Sequence, residues 1–260
     1  MPDNDLFSIK KRITAAQQTR KITRTMELIA SSRLQRGKAM LAAYSEWSKY
    51  MRRAARVLPD SYFAPPSDSM GDGRRAYIIF GGSRGLSGAY SPNLMQYAKP
   101  IVDGHLVAAV GSATEAFFPD AHTYLGDELP SADYAAAIVR AAMAMRADEV
   151  YLIYTMGTKH VTARLFPPAR QDEIHEDVIV EPSASELFPV LFEEYSTSIV
   201  YEAHLQAFVS EQIARVSAMD SATKNADEIT EDLQATYNRI RQSSITQEII
   251  TVSNAVRGDG

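Results

Sequence analysis

The sequence predicts an α/β protein in which long N- and C-terminal helices form a coiled coil beside a central α/β domain. Three observations predict it. The helix breakers are segregated: of 12 prolines all but Pro2 and Pro59 lie between Pro65 and Pro189, and only Gly37, Gly258 and Gly260 interrupt the proline-free tracts 3–58 and 190–260. Proline costs about 3 kcal/mol inside a helix and glycine about 1, so both tracts read as helices. Their apolar residues recur at steps of three and four, the helical period. Between them the pattern changes to short apolar runs separated by helical segments. The expected division is therefore a helix over 1–58, an α/β domain over 59–189 and a helix over 190–260.

In the first tract Ser8 is the expected N-cap of a helix starting at Ile9. Ile22, Met26 and Ile29 form one apolar stripe. A second runs through Leu34, Gly37, Leu41, Tyr44, Ser48, Met51, Ala55 and Leu58, alternating steps of three and four as a coiled-coil seam does. In the last tract Leu205, Val209 and Val216 are followed by Ile229, Leu233 and Ile240. A terminal stripe of Ile245, Ile249, Val252 and Val256 then reaches nearly to the end of the chain. At 1.5 Å per residue, helices over 8–58 and 190–257 would span roughly 75 and 100 Å. The rods can shield one another, but the longer one should project beyond its partner, and its bare end would need another protein.

The middle reads as an α/β sheet with crossovers. "AYIIF" (76–80), "LVAAV" (106–110) and "VYLIY" (150–154) are continuous apolar runs, the pattern of strands covered on both faces. Ser91-Pro92 opens one helix, Ser112 with Glu115 is a capping-box pattern for a second, and "SADYAAAIVRAAMAM" (131–145) is a third. Strand and helix alternate as in an α/β sheet with right-handed crossovers. "VTARLF" (161–166) and "DVIV" (177–180) are candidate edge strands.

Composition narrows the function. The chain has 260 residues, 45% hydrophobic and 23% charged, with a net charge of −5. No stretch of about 18 uncharged apolar residues exists to span a membrane, and the N-terminus has no secretory h-region or Arg-rich transit pattern. There is no cysteine, hence no disulfide, thiolate metal site or cysteine nucleophile. A bacterial-type cytoplasmic protein is expected.

Three chemical candidates arise. "GGSRG" (81–85) matches the G-x-S-x-G nucleophile elbow after a strand, with Ser83 as nucleophile and Asp120 and His160 as candidate partners. The helix signal comes several residues late for an elbow, and a glycine-rich loop needing positive φ is the preferred reading of the motif. "GGSRGLSG" could cradle phosphate, yet it has neither G-x-G-x-x-G nor the G-K-[ST] ending of a P-loop. Asp172, Glu173, His175, Glu176 and Asp177 are metal-ligand types without a second histidine at ligand spacing, the pattern of a solvated charge run. No cofactor and no catalytic or metal residue is assigned.

Charge points to partners. Residues 8–58 hold thirteen Lys or Arg against Glu27 and Glu46, although the whole chain is acidic. Lys10, Lys11 and Arg12 fall in the first turn of the expected helix, where the dipole disfavours cations; Asp3 and Asp5 offset part of that. A basic coiled coil binding nucleic acid is one reading, without aromatic interleaving or a known motif to support it. A solvated face is another, and an acidic protein surface opposite the helix is a third.

The two ends are specific enough to show a resemblance. "QQTRKITRTMELIASSRLQRGK" (17–38) and "ATYNRIRQSSITQEIITVSNAV" (235–256) resemble the signature ends of the gamma subunit of F-type ATP synthase, with "KIT-x-x-ME" near the start and "YN-x-x-RQ-x-x-ITQE" near the end. In the middle "SRGLSGAYSPNL" (83–94) is similar to the family's "DRGLCGGLN", and "EDVIVEPSASELF" (176–188) to its "Y-EP-S" segment. Ser83 and Ser87 stand where the family often has Asp and Cys, and Ala89-Tyr90 replaces Gly-Leu.

The resemblance implies a long antiparallel coiled coil of the N- and C-terminal helices plus a central Rossmann-like α/β domain. It implies a rotor without an active site of its own, inside a hexameric ring of alpha and beta subunits, its foot on the epsilon subunit and the membrane c-ring. It further implies a peripheral place on the cytoplasmic face of the inner membrane, with no membrane span and no nucleic acid bound. Residues matching the family's shaft contacts are Met26, Glu27, Arg241, Gln242, Thr246, Gln247 and Glu248. The stripe Ile245, Ile249, Val252 and Val256 would sit in an apolar sleeve of the ring. An asymmetric shaft presents a different face to each of three catalytic sites, so it biases each by its differential affinity for that site's conformations.

Overall fold

A computed structural model describes residues 2–55, 73–82, 85–126, 129–168, 181 and 183–258. Helix α1 spans Pro2–Ala55 and helix α5 spans Ala184–Gly258. Between them lie β1 (Arg75–Phe80), α2 (Tyr90–Val102), β2 (Leu106–Val110), α3 (Ser112–Phe117), β3 (Thr123–Leu125), α4 (Ala132–Ala144), β4 (Glu149–Met156) and β5 (Lys159–Phe166). The chain divides into two compact units, Ala30–Arg215 and Met1–Ile29 with Val216–Gly260.

The larger unit is built on a five-stranded sheet of order β3-β2-β1-β4-β5. The first four strands are parallel and β5 returns antiparallel to β4. Successive side chains of a strand point to opposite faces, and both faces are covered. Ala76, Ile78 and Phe80 of β1 meet α4 and α5, through residues such as Ile138, Ile199 and Val200. Tyr77 and Ile79 meet α2 through Leu94, Met95 and Ala98. Two-sided burial is why these strands read as unbroken apolar runs. The three runs and the edge strand at 161–166 are observed as expected; "DVIV" lies outside the described residues.

Local chemistry sets the helix starts, and here the structure departs from several expectations. Ser131 caps α4, its Oγ accepting from Tyr134 N at 3.2 Å. The expected box at Ser112 does not form. Ser112 is already helical, and the N-cap is Gly111 at φ 92° with no side-chain cap bond. Glycine is needed there twice over, for the positive φ and because a Cβ would stand 3.1 Å from Gly81 O. Helix α2 starts at Tyr90, one residue before Ser91, so Pro92 falls inside the first turn, where a missing N–H costs nothing. Helix α5 begins six residues before the proline-free tract. Ser183 Oγ accepts from Glu186 N at 3.3 Å and donates to the Glu186 carboxylate, at 3.2 Å. This capped start carries the helix through Pro189.

The part of α1 in this unit buries the expected seam. Gly37, Ser48 and Ala55 are buried, while Leu34, Leu41, Tyr44 and Met51 are half-buried; Leu58 lies outside the described residues. Glu202 of α5 accepts from Ser48 Oγ at 2.8 Å and from Arg52 at 2.6 Å. A Cβ on Gly37 would lie 3.0 Å from both Phe208 Cδ1 and Val209 Cγ2. Gly37→Val is therefore expected to overpack α1 against α5 and lower stability by about 1–3 kcal/mol in chemical denaturation.

The smaller unit is a helix pair. Thr223 Oγ1 donates to Thr23 Oγ1 at 2.7 Å, and Arg20 pairs with Asp227. These contacts set an antiparallel register, in which α1 descends as α5 climbs. On α5 a seam of sheltered positions runs through Val216, Met219, Thr223, Ala226, Thr230, Leu233, Tyr237, Ile240 and Ser244 at alternating steps of three and four, with Ala218, Asp220, Ala222 and Asp227 half-buried beside it. On α1 they are Leu6, Ile9, Ile13, Ala16, Thr23 and Glu27. Two expectations need correction. Ile22, Met26 and Ile29 are not on this seam, being 58%, 38% and 43% exposed, and Ile229 is likewise exposed. The reason is that α1 carries two apolar stripes, and the weaker one, with Ala16 and Thr23, continues the phase of Leu6, Ile9 and Ile13. The helix also starts at Pro2, not after a cap at Ser8. Lys10, Lys11 and Arg12 then lie in its third turn, beyond the reach of the dipole.

Candidate subunit interface

The register fixes where the pair ends. With Thr23 level with Thr223, Pro2 falls level with about Ser244. From Ile245 on, helix α5 runs past the level of the last described residue of α1. Ile245 and Ile249 are accordingly 47% and 63% exposed. Val252 and Val256 lie in the same helix, but their side chains are outside what the structure describes. Three exposed isoleucines, Ile245, Ile249 and Ile250, lie within two turns of this stretch.

The polar candidates surround this overhang. Arg241, Gln242, Thr246, Gln247 and Glu248 are exposed, and Thr246 Oγ1 is tied back to Gln242 O at 2.9 Å. Met26 and Glu27 are not part of that cluster. They sit near the level of Met219 and Asp220, roughly 30 to 45 Å lower at 1.5 Å per residue. Met26 is exposed on the outer stripe of α1, whereas Glu27 is half-buried and bonds Arg24 Nη1 with both carboxylate oxygens, at 2.9 and 2.8 Å. The structure thus gives two separate patches: an outer α1 face of Ile22, Met26 and Ile29, and the α5 overhang. Reading the sequence for one face per helix hides the first as an interior stripe.

The overhang also bears on stability. Removing Ser253 to Gly260 is expected to leave the melting temperature of the isolated chain within about 2 °C of the parent, because the shared seam stops near Ser244. A collapse of the folded state would show that the tail packs within this chain.

The crevice where doubly wound sheets bind ligands is filled from inside. It lies outside the carboxyl ends of β1 and β4, on either side of which the chain runs in opposite directions across the sheet. Ser210 of α5 donates to Thr155 O at 2.9 Å and accepts from Gly157 N at 2.9 Å, at the end of β4. Tyr90 Oη donates to Ala207 O at 3.0 Å; burial, with Glu211 nearby, raises its pKa well above the ordinary phenol value. Arg215 bonds Glu211 and reaches Gly85 O at 3.4 Å. Ser83 and the acidic run 172–177 lie outside the described residues. Among those described, no group of three or more His, Asp or Glu could hold a metal. No described helix is long and apolar enough to cross a membrane.

Fold and exposed faces together define a protein with a doubly wound sheet closed by its own helix and with terminal helices that pair with each other. The chain belongs to the ATP synthase family, whose model matches residues 5–257. It is 31% identical to the ATP synthase gamma chain of Ruminiclostridium cellulolyticum, covering 95% of this chain and 96% of the relative. It is 32% identical to that of Caldanaerobacter subterraneus subsp. tengcongensis, covering 94% and 96%. Among solved structures it is similar in fold to a chain of the Euglena gracilis mitochondrial ATP synthase rotor, with TM-score 0.72 at 16% identity, covering 94% of this chain and 99% of the other. A chain of the Tetrahymena thermophila central stalk and c-ring matches with TM-score 0.60 at 20% identity, covering 77% and 99%.

Proposed function

We propose that this chain is the central-stalk rotor subunit of a membrane-bound F-type ATP synthase, coupling ion-driven rotation to ATP synthesis or hydrolysis in a ring of alpha and beta subunits. The observation that carries the reading is the overhang: α5 runs past the start of α1 and leaves Ile245 and Ile249 bare beside Arg241, Gln242 and Glu248. Such a face is buried only in another protein. In this reading Ile245, Ile249, Val252 and Val256 enter an apolar sleeve of the ring, and Arg241, Gln242, Thr246, Gln247 and Glu248 contact it. Met26 and Glu27 meet it at a second level.

The chain itself performs no chemistry in this role. Residues 1–58 and 190–260 supply the coiled coil, while 59–189 form a foot against the epsilon subunit and the c-ring. The complex sits peripherally on the cytoplasmic face of the inner membrane. A shaft that is not threefold symmetric favours a different conformation at each of three sites, and it biases each by its differential affinity alone.

The test is a pull-down of the tagged chain from detergent-solubilised membranes, with the eluate assayed for Mg-ATP hydrolysis. Two abundant larger subunits eluting with ATPase activity are expected. A chain that elutes without companions or activity overturns the reading.

A further inference from the structure

The two compact units differ in what they bury. In the larger one Ile78, Phe80, Leu152 and Leu165 are each 0% exposed and belong to one continuous core. In the smaller one the buried apolar side chains among the described residues are Ile13, Met219 and Ala226 alone. Bulkier groups face outward, with Phe7, Ile22, Leu28 and Ile229 at 59%, 58%, 58% and 43% exposed. The centre of the seam is polar. Thr23 and Thr223 hold each other at 2.7 Å, but water would satisfy both hydroxyls once the helices part. Arg20 and Asp227 pair about half in solvent, where such a bridge contributes little. Ser244 Oγ is buried with no partner among the described residues, a cost that opening relieves.

We propose that the helix pair of the smaller unit opens on its own, as a separate cooperative element, while the sheet and its covering helices stay folded. In water a helix persists chiefly through the packing of its apolar face, and here that face is narrow and rich in Ala and Thr. The conformational entropy lost in keeping both helices ordered is therefore poorly offset. Scarcity of buried apolar contact is what places a segment at the low end of opening free energies. In the rotor reading the outward residues gain cover on assembly, so the shaft stiffens after the larger unit has folded. The inference itself concerns the isolated chain and does not rest on that reading.

The test is hydrogen–deuterium exchange of the isolated full-length chain, followed segment by segment. Relative to unfolded-chain rates, amides of residues 9–27 and 219–244 are expected to exchange roughly 100-fold faster than those of β1, β2 and β4. Ile78→Val, in the core of the sheet, separates local from global opening. It should speed exchange in β1, β2 and β4 about fivefold. Residues 9–27 and 219–244 should keep their rates, because the pair opens from a state in which the sheet is still intact. Equal protection in the two units overturns the proposal. So does an Ile78→Val chain in which both regions speed up by the same factor, since the pair then opens only when the whole chain unfolds.

Discussion

Acidification from pH 7 to pH 4 is expected to cost the folded chain about 3 kcal/mol through one residue, His204. The imidazole lies on α5 against the sheet, 5.5 Å from the rings of both Phe80 and Tyr134. Its Nδ1 is buried without a hydrogen-bond partner among the described residues. Burial disfavours the cation and lowers the pKa from 6.5 to about 4. The sign follows from linkage. The unfolded chain takes up its proton first, so the stability is fully present above pH 6.5, falls as pH drops toward 4, and levels off below. Urea melts across this range, for the parent and for His204→Leu, measure it. The difference in stability between the two should change by about 1.4 kcal/mol per pH unit between 6.5 and 4. A difference that stays constant with pH would show that the imidazole is protonated or solvated in the fold. Carboxylates add their own slope to both chains and cancel in the comparison.

The second large effect is functional. Arg241→Ala with Gln242→Ala should lower ATP synthesis by membrane vesicles about tenfold, a middle value for the coupling free energy between two sites. The isolated chain should melt as before, because both side chains are exposed on the overhang and surface substitutions rarely exceed about 0.5 kcal/mol. The pairing of the two measurements matters. Loss of synthesis with an intact fold assigns the residues to a contact made in the complex. Unchanged synthesis removes them from the interface and leaves the apolar stripe of Ile245 and Ile249 as its main content.

Much of this architecture was legible in the sequence because its signals are long or two-sided. The proline-free ends announced α1 and α5, and the continuous runs at 76–80, 106–110 and 150–154 announced strands buried on both faces. The seam from Leu34 to Ala55 was legible because steps of three and four persisted over several turns. The overhang followed from unequal tract lengths. Other features were hidden for definite reasons. β3 has three residues, too few for any period to show. The start of α5 lay in the Ser183–Glu186 box, which Pro189 masked by suggesting a boundary. Ile22, Met26 and Ile29 are more apolar than Ala16, Thr23 and Glu27, so hydrophobicity alone chooses the wrong face. The phase is set instead by Leu6, Ile9 and Ile13 and by the Thr23–Thr223 bond, whose partner is 200 residues away. For the same reason the filling of the β1–β4 crevice could not be read: Thr155 and Ser210 meet only in three dimensions.

The seam of α5 keeps its three-four alternation from Val216 to Ser244 without a break. A strict repeat of 3.5 residues per turn winds paired helices into a left-handed supercoil. Such a pair is mechanically chiral. A torque of one sense tightens the winding and presses Ile13 and its neighbours together, while the opposite torque loosens it. The spacing of nine side chains thereby gives the helix pair a handedness that two uncoupled straight rods would lack.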